Sequence, residues 1–176
     1  TAVFTVVERV LLRPLPYPGS ERMVLVGIDA RNDPGSVGPL SPALLTALHD
    51  RPGPAEGVVA ARTVEAILQG GDAPERVEVT EASRDLLGVF GARPVAGRLL
   101  RPSDHDPGAE AVVVLGHGVW RERYGSDPDV VGSAIRLDDR LHTVVGVLDE
   151  GFVAPPEVVE RDGFWVPLRV DPEITG

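Results

Sequence analysis

Four histidines, at positions 49, 105, 117 and 142, have the widest chemical repertoire in this chain, since an imidazole can ligate a metal, move a proton or activate a hydroxyl. No two of them stand four apart, the spacing that turns both rings to one helix face and toward a zinc ion. Asp104-His105-Asp106 offers oxygen and nitrogen donors, and Asp104, Asp106 and Gly108 follow the opening of a calcium loop. Pro107 interrupts that pattern and the distal glutamate is missing, so a solvated acidic loop is the simpler reading. Gly116-His117-Gly118 is similar to the oxyanion-hole loop of esterases, yet the nucleophile elbow G-x-S-x-G occurs nowhere. His117 reads instead as a local partner for free backbone groups at a helix start. Trp120 and Tyr124 stand four apart, which suits an aromatic platform but better marks the buried side of a helix. Gly70-Gly71 lacks the strand-to-helix setting of a phosphate loop and reads as a turn. No catalytic, metal-binding or cofactor-binding residue is assigned from these patterns.

Two residue types are missing altogether. All 17 basic residues are Arg, and the absence of Lys excludes a Walker A lysine, a Schiff base and a Ser-Lys dyad. The absence of Cys excludes disulfides, thiolate ligands and cysteine nucleophiles. If ATP drives this protein, another chain hydrolyses it.

The elements that would carry these residues can be read from pattern and punctuation. The run Val3, Phe4, Val6, Val7, Val10, Leu11, Leu12 is apolar and predicts a helix stub, too short to span a bilayer by itself. Pro14, Pro16 and Pro18 end that helix and enforce a stiff extended segment. Met23–Ile28 reads as a strand, followed by a polar loop containing Asn32, Asp33, Pro34 and Gly35. Ser41-Pro42 with Leu44, Leu45 and Leu48 predicts a short amphipathic helix. Residues 58–62, 64–68 and 76–80 read as three strands of a meander, the last set apart by Gly70-Gly71-Asp72. Ser83 is the expected cap of a short helix carrying Leu86, Leu87 and Phe90, closed by a left-handed Gly91. Residues 111–115 predict a buried strand, 118–124 a helix ending at Gly125, and 133–138 with 141–148 a hairpin about Asp139-Arg140. Phe164-Trp165-Val166 predicts a last strand, ended by Pro167. Short helices mixed with mostly hairpin-connected strands imply an α+β fold on mixed or antiparallel sheets, and not a doubly wound nucleotide-binding core.

Composition bounds the rest. A chain of 176 residues, 43% hydrophobic and 25% charged, suffices for one folded domain of one or two lobes. Its net charge of −10, with the cations scattered, excludes nucleic acid as a partner, because phosphate backbones require clustered positive charge.

The order of the motifs carries a resemblance. The opening passage from Thr1 to Pro18 resembles the junction between the first transmembrane helix and the outer domain in MacB/FtsX-type permeases of ABC transporters, especially acidobacterial orphan permeases. Ser83-Arg-Asp-Leu-Leu-Gly-Val-Phe-Gly91 with Ala92-Arg-Pro-Val-Ala-Gly-Arg98 is similar to a second family pattern, with Asp85, Leu86 and Leu87 where Asn, Phe and Phe are usual. Val112 to Trp120, Arg121 to Pro128, Val131-Gly132, Leu141 to Val147, Gly151-Phe152 and Phe164 to Leu168 follow in matching order. Asp139 departs from the usual turn glycine, and 41–51 lacks the aromatic and Trp-Arg ending often found there.

The resemblance implies an α+β MacB-like periplasmic core of two small lobes, called porter and sabre. Residues 1–12 would be the outer end of the first transmembrane helix, and 13–176 the extracytoplasmic core without its closing C-terminal segment. It further implies a bacterial inner-membrane protein whose outer domain transmits ATP-driven helix movement to export or to a periplasmic partner. The implied partners are a second permease copy, a cytoplasmic ABC ATPase and a periplasmic adaptor. Two alternatives remain at this point: a sensory or adaptor-binding module without transport, and a secreted hydrolase or metal enzyme. The last predicts a deep pocket gathering His105, His117 or His142 with carboxylates.

Overall fold

The computed structural model describes residues 22–23, 28–29, 37–38, 57–70, 73–154 and 163–169. The expected helix over 1–12, the proline segment 13–19, the loop 32–35, the helix over 41–48 and His49 lie outside these residues. Of the strand expected over 23–28, Met23 is irregular and Ile28 belongs to β1 (Ile28–Asp29), which pairs antiparallel with β2 (Val37–Gly38).

The main sheet begins with β3 (Ala61–Gln69) and β4 (Glu75–Ala82), an antiparallel hairpin. Two strands were expected where β3 forms one. Arg62-Thr63-Val64 contains no glycine, proline or asparagine to turn the chain, so the extended backbone runs straight through. A one-turn helix, α1 (Leu86–Val89), follows, then β5 (Pro94–Gly97) and β6 (Val112–Leu115). Next come helix α2 (His117–Tyr124), β7 (Ala134–Leu137), β8 (Arg140–Leu148) and β9 (Phe164–Pro167). The α+β expectation holds, and the sheet is mixed: β4–β9 and β6–β8 pair in parallel, the others antiparallel.

These pairings close on themselves. Strand β3 pairs with β4, β4 with β9, β9 with β6, β6 with β8, β8 with β7, and β7 returns to β3. Strand β5 adds to β8 beyond β7. The result is a small ring of six strands, and closure leaves its members paired on both sides.

Because side chains alternate along a strand, each buried strand feeds two cores. Val113, Leu115, Phe164, Val166, Val77, Val79, Ile135 and Leu137 fill the inside of the ring. Val114, Trp165, Ala82 and Leu148 point the other way and pack under Leu86, Leu87, Phe152 and Ala154. Phe152 meets Trp165 edge to face, with ring centroids 5.5 Å apart. This two-sided burial explains why β6 reads Val-Val-Val-Leu without alternation.

Local chemistry corrects two expectations. Ser83 does not cap α1; its Oγ accepts the Ala60 amide at 2.7 Å, tying the end of β4 to the approach to β3. Asp85, in the left-handed region at φ 64, stands at the N-cap instead. The hairpin turn falls on Asp138-Asp139, one residue earlier than expected, with Asp138 at φ 52. Ile135 and Leu137 do lie opposite alternating residues, His142 and Arg140. Gly91 and Gly125 have the expected positive φ after their helices.

One close approach demands glycine. The register of β6 against β8 slips between Val113 and Val114, a bulge that carries Gly146 against the segment after β5. A Cβ on Gly146 would run into the Arg98 carbonyl, and one on Gly97, at φ +66, into the Val145 carbonyl. The two glycines let β5 lie on β8 while Arg98 donates its amide to Val145 at 2.8 Å.

Candidate functional site

Register separates the histidines. Gly116 and His117 follow β6 at the end where Gly163 enters β9, and the Gly116 amide donates to the Gly163 carbonyl at 2.9 Å. Ala111, Thr143, Pro167 and Leu168 mark the opposite end. His105 lies there, with Nδ1 3.3 Å from the Leu168 carbonyl, and so does His142, beside Thr143 on β8. The structure therefore brings His105 and His142 to one end of the ring and His117 to the other. Among the described residues no three of His, Asp and Glu cluster as a metal site would require.

At the His117 end, α2 lies over the ring with Val119, Trp120 and Tyr124 against the inner core. The Trp120 and Tyr124 pair thus packs as core, and the Trp120 Nε1–H donates to the Asp127 carbonyl at 2.8 Å. The His117 ring stands edge-on to Trp120 at 5.5 Å, and its Nδ1 is buried without a hydrogen-bond partner among the described residues. The expected exchange with backbone groups is not made through that nitrogen. Arg123 and Glu75 add a two-fold ion pair at 2.6 Å, and that hydrogen bond lowers the Glu75 carboxyl.

The opposite end is held by polar contacts. Asp104, at 8% exposure, accepts the Arg98 guanidinium at 2.6 and 3.1 Å and the Arg101 amide at 2.7 Å. Burial alone would raise its pKa, but the Arg98 and Arg101 hydrogen bonds and the Arg98 charge outweigh it, leaving the carboxyl below its ordinary 3.8. Asp104-His105-Asp106 is thus neither a calcium loop nor simply solvated: Asp104 is a buried ion-pair partner, and Asp106 pairs with Arg84 at 3.0 Å. Burial, ahead of any neighbouring charge, lowers His105.

Beside this network lies an open pocket of about 140 Å³ lined by Glu81, Val112, Arg140, His142, Val166 and Arg169. Arg140 and His142 stand two apart on β8 and so share a face. One nitrogen of Arg169 donates to the carbonyls of Asp104 and Glu110 at 3.0 and 2.8 Å. Sequence patterns pointed to His142 but not to Arg140, Arg169 or Glu81. Arg140 read only as a turn residue, and Arg169 follows the final strand without any motif of its own.

No described helix is long and apolar enough to cross a membrane. The MacB-like periplasmic core domain family matches residues 1–174. The chain belongs to this family. The MacB-like fold is shared with the periplasmic region of MacB from Actinobacillus actinomycetemcomitans, at 17% identity and a TM-score of 0.55, over 69% of this chain and 54% of that one. It is shared equally with the extracellular domain of the noncanonic ABC-type transporter YknZ from Gram-positive bacteria, at 16% identity and a TM-score of 0.55, over 70% and 59%. The chain spans little more than half the length of these two domains. Among curated proteins no relative matches it. Membership in the MacB-like family makes this an extracytoplasmic domain of the ABC-permease kind.

Several residues of the motifs that carried the resemblance now have physical reasons. Gly97 and Gly146 permit the β5–β8 approach, Arg98 holds Asp104, and Trp120 packs α2 on the ring.

Proposed function

We propose that this domain couples ATP-driven movement of transmembrane helices to export, or to a partner outside the membrane. On this reading residues 1–12 are the outer end of the first transmembrane helix and 13–176 the two-lobed core, in a permease of the bacterial inner membrane. The permease works as two copies with a cytoplasmic ABC ATPase, and a periplasmic adaptor is the further candidate partner. ATP hydrolysis belongs to an ABC ATPase subunit or domain outside these 176 residues, whose Arg-only cations include none of the lysines such chemistry needs.

The observation that carries the reading is the family match from residue 1, which takes in Pro14, Pro16 and Pro18 ahead of the folded ring. By sequence, three prolines in alternate positions favour a stiff extended spacer, and a stiff spacer passes rotation or thrust that a flexible one absorbs. A ring of strands paired on both sides and packed on two cores suits the receiving body, because dense interiors transmit strain.

The test replaces Pro14, Pro16 and Pro18 by Gly in the full permease with its ATPase. Transport should fall while ATP turnover persists and the isolated domain keeps its denaturation midpoint. Transport that stays coupled to hydrolysis would overturn the proposal.

A further inference from the structure

We propose that the exit of β9 is a latch released by proton uptake: Leu168 and Arg169 stay fastened to the ring while the His105 imidazole is neutral and come away when it is protonated. The inference stands on the contacts at this end of the ring and does not depend on the permease reading.

The fastening is local. Beyond β9 the Leu168 amide donates to the Ala82 carbonyl at 2.8 Å, extending the β4–β9 pairing. The Leu168 carbonyl meets His105 Nδ1 at 3.3 Å, and one Arg169 nitrogen donates to the Asp104 and Glu110 carbonyls at 3.0 and 2.8 Å. Two of these contacts converge on one short turn, Pro102–His105. That turn is anchored from its other side, because the Asp104 carboxylate accepts the Arg98 guanidinium and the Arg101 amide. The exit is therefore held by main-chain groups, a guanidinium and one imidazole, and only the imidazole titrates near neutral pH.

The surroundings decide what a proton does there. His105 is 9% exposed, and cations face it from two other segments: Arg84, from the link between β4 and α1, and Arg169, from beyond β9. The carboxylates at this end are already engaged: Asp104 by Arg98, Asp106 by Arg84, Glu110 by the Thr143 hydroxyl and Glu81 by Arg62. A protonated His105 would be a third cation in a nearly closed space. Burial first, then the charges of Arg84 and Arg169, hold its pKa below 6.5, outweighing the Leu168 hydrogen bond and the Asp104 charge, which favour the protonated ring. A released imidazole reaches water and titrates at its ordinary 6.5. Proton binding thus favours release: the latch is whole above about 6.5 and loosens below it until the latched-state value is reached. Asp104, held below 3.8, keeps its charge and its grip on Arg98 throughout that window, so the exit yields and the turn's anchor does not. His142, on the other side of Arg169, is also held below 6.5 by burial and by Arg140 and Arg169, and it serves as the control.

The test follows backbone amide exchange by NMR in the purified 176-residue chain, each rate divided by the intrinsic rate at that pH. Leu168 should be less protected than Val114 and Trp165 in the ring, and its protection should be insensitive to dilute urea, the mark of a local opening. From about pH 7.5 to about pH 5.5 that protection should fall several-fold, and by no more than about tenfold, the ceiling for an imidazole one unit below its ordinary value. His105 ring nitrogen shifts should titrate with a midpoint below 6.5. His105→Asn keeps a side-chain donor for the Leu168 carbonyl but does not titrate, so its Leu168 protection should stay level, whereas His142→Asn should keep most of the native dependence. The proposal is overturned if native Leu168 protection does not change with pH, if Leu168 exchanges only as slowly and as urea-sensitively as the ring, or if the His105 midpoint is at or above 6.5. It is equally overturned if the dependence survives in folded H105N or vanishes in H142N; should H105N fail to fold, the native exchange and the His105 midpoint decide.

Discussion

The two ends of the strand ring are closed by different means. At one end α2 lays Val119, Trp120 and Tyr124 over the inner core, so closure there rests on apolar contact. At the other, Arg98, Asp104, His105 and Arg169 tie the connection between β5 and β6 to the exit of β9 through charge and hydrogen bonds. Apolar packing is indifferent to pH and intolerant of lost volume, whereas a polar network tolerates small changes of shape and depends on protonation. The same fold therefore offers one end that is mechanically set and one that responds to its surroundings.

The largest break in this contrast should come from Phe164→Ala, which empties a ring position only 1% exposed. A loss of about 4 kcal/mol is expected, measured by urea or guanidinium unfolding, with the same value at neutral and mildly acidic pH. A loss below about 1 kcal/mol would mean that this end is not packed as described.

Asp104→Asn should rank second. It keeps the shape but leaves the Arg98 guanidinium without its counter-charge, and since the Arg98 side chain is 28% exposed, solvent screens part of the effect. We expect about 2 kcal/mol, reduced from the usual cost of breaking a buried pair. The native chain should also lose this contribution as pH falls below 3.8 and through the lower folded-state value, because protonation removes the paired anion. The variant should not show that step. An acid profile identical in the two proteins would remove the ion pair from the account.

The smallest effect sharpens the comparison. His105 is held below its ordinary 6.5, mainly by burial, so the unfolded chain takes up its proton first as pH drops. Stability is then full above about 6.5 and declines below it until the folded-state value is reached. Because His142 is shifted in the same direction, His105→Asn and His142→Asn must be compared separately. The unfolding midpoint of H105N should depend less on mild acid than that of the native chain; equal dependence would assign the effect to His142 or elsewhere.

Much of this architecture was legible in residue order, for reasons that differ by element. β6 and α2 announce themselves through a continuous apolar run followed by a periodic stretch that Gly125 ends. The β7–β8 hairpin follows from Ile135 and Leu137 against the alternation beyond the turn. The closure of the ring was not legible, because β3 and β7 pair in register only at Leu68 and Gln69, and no local pattern marks a pairing that distant. Ser83 misled for a related reason: a hydroxyl suited to capping a helix found a more distant amide, that of Ala60. The Arg169 pocket escaped notice because Arg140 on β8 and Arg169 beyond β9 carry no shared motif, whereas the described histidines, though conspicuous, divide between the two ends.

Asp138 is a turn residue with an unusual reach. Its carboxylate accepts the Ile67 amide at 2.8 Å, its own amide donates to the Ile67 carbonyl at 2.7 Å, and its carbonyl receives the Gln69 side chain at 3.1 Å. Partners 71 residues apart in the chain can meet only after the intervening polypeptide has lost much of its freedom. This stitch belongs with the still more distant β4–β9 pairing among the contacts expected late in folding: the two hairpins can form early and locally, but the circle is joined late. A domain assembled this way spends its slowest moments as an open curl with two unprotected strand edges, the period when a neighbouring nascent copy could intrude.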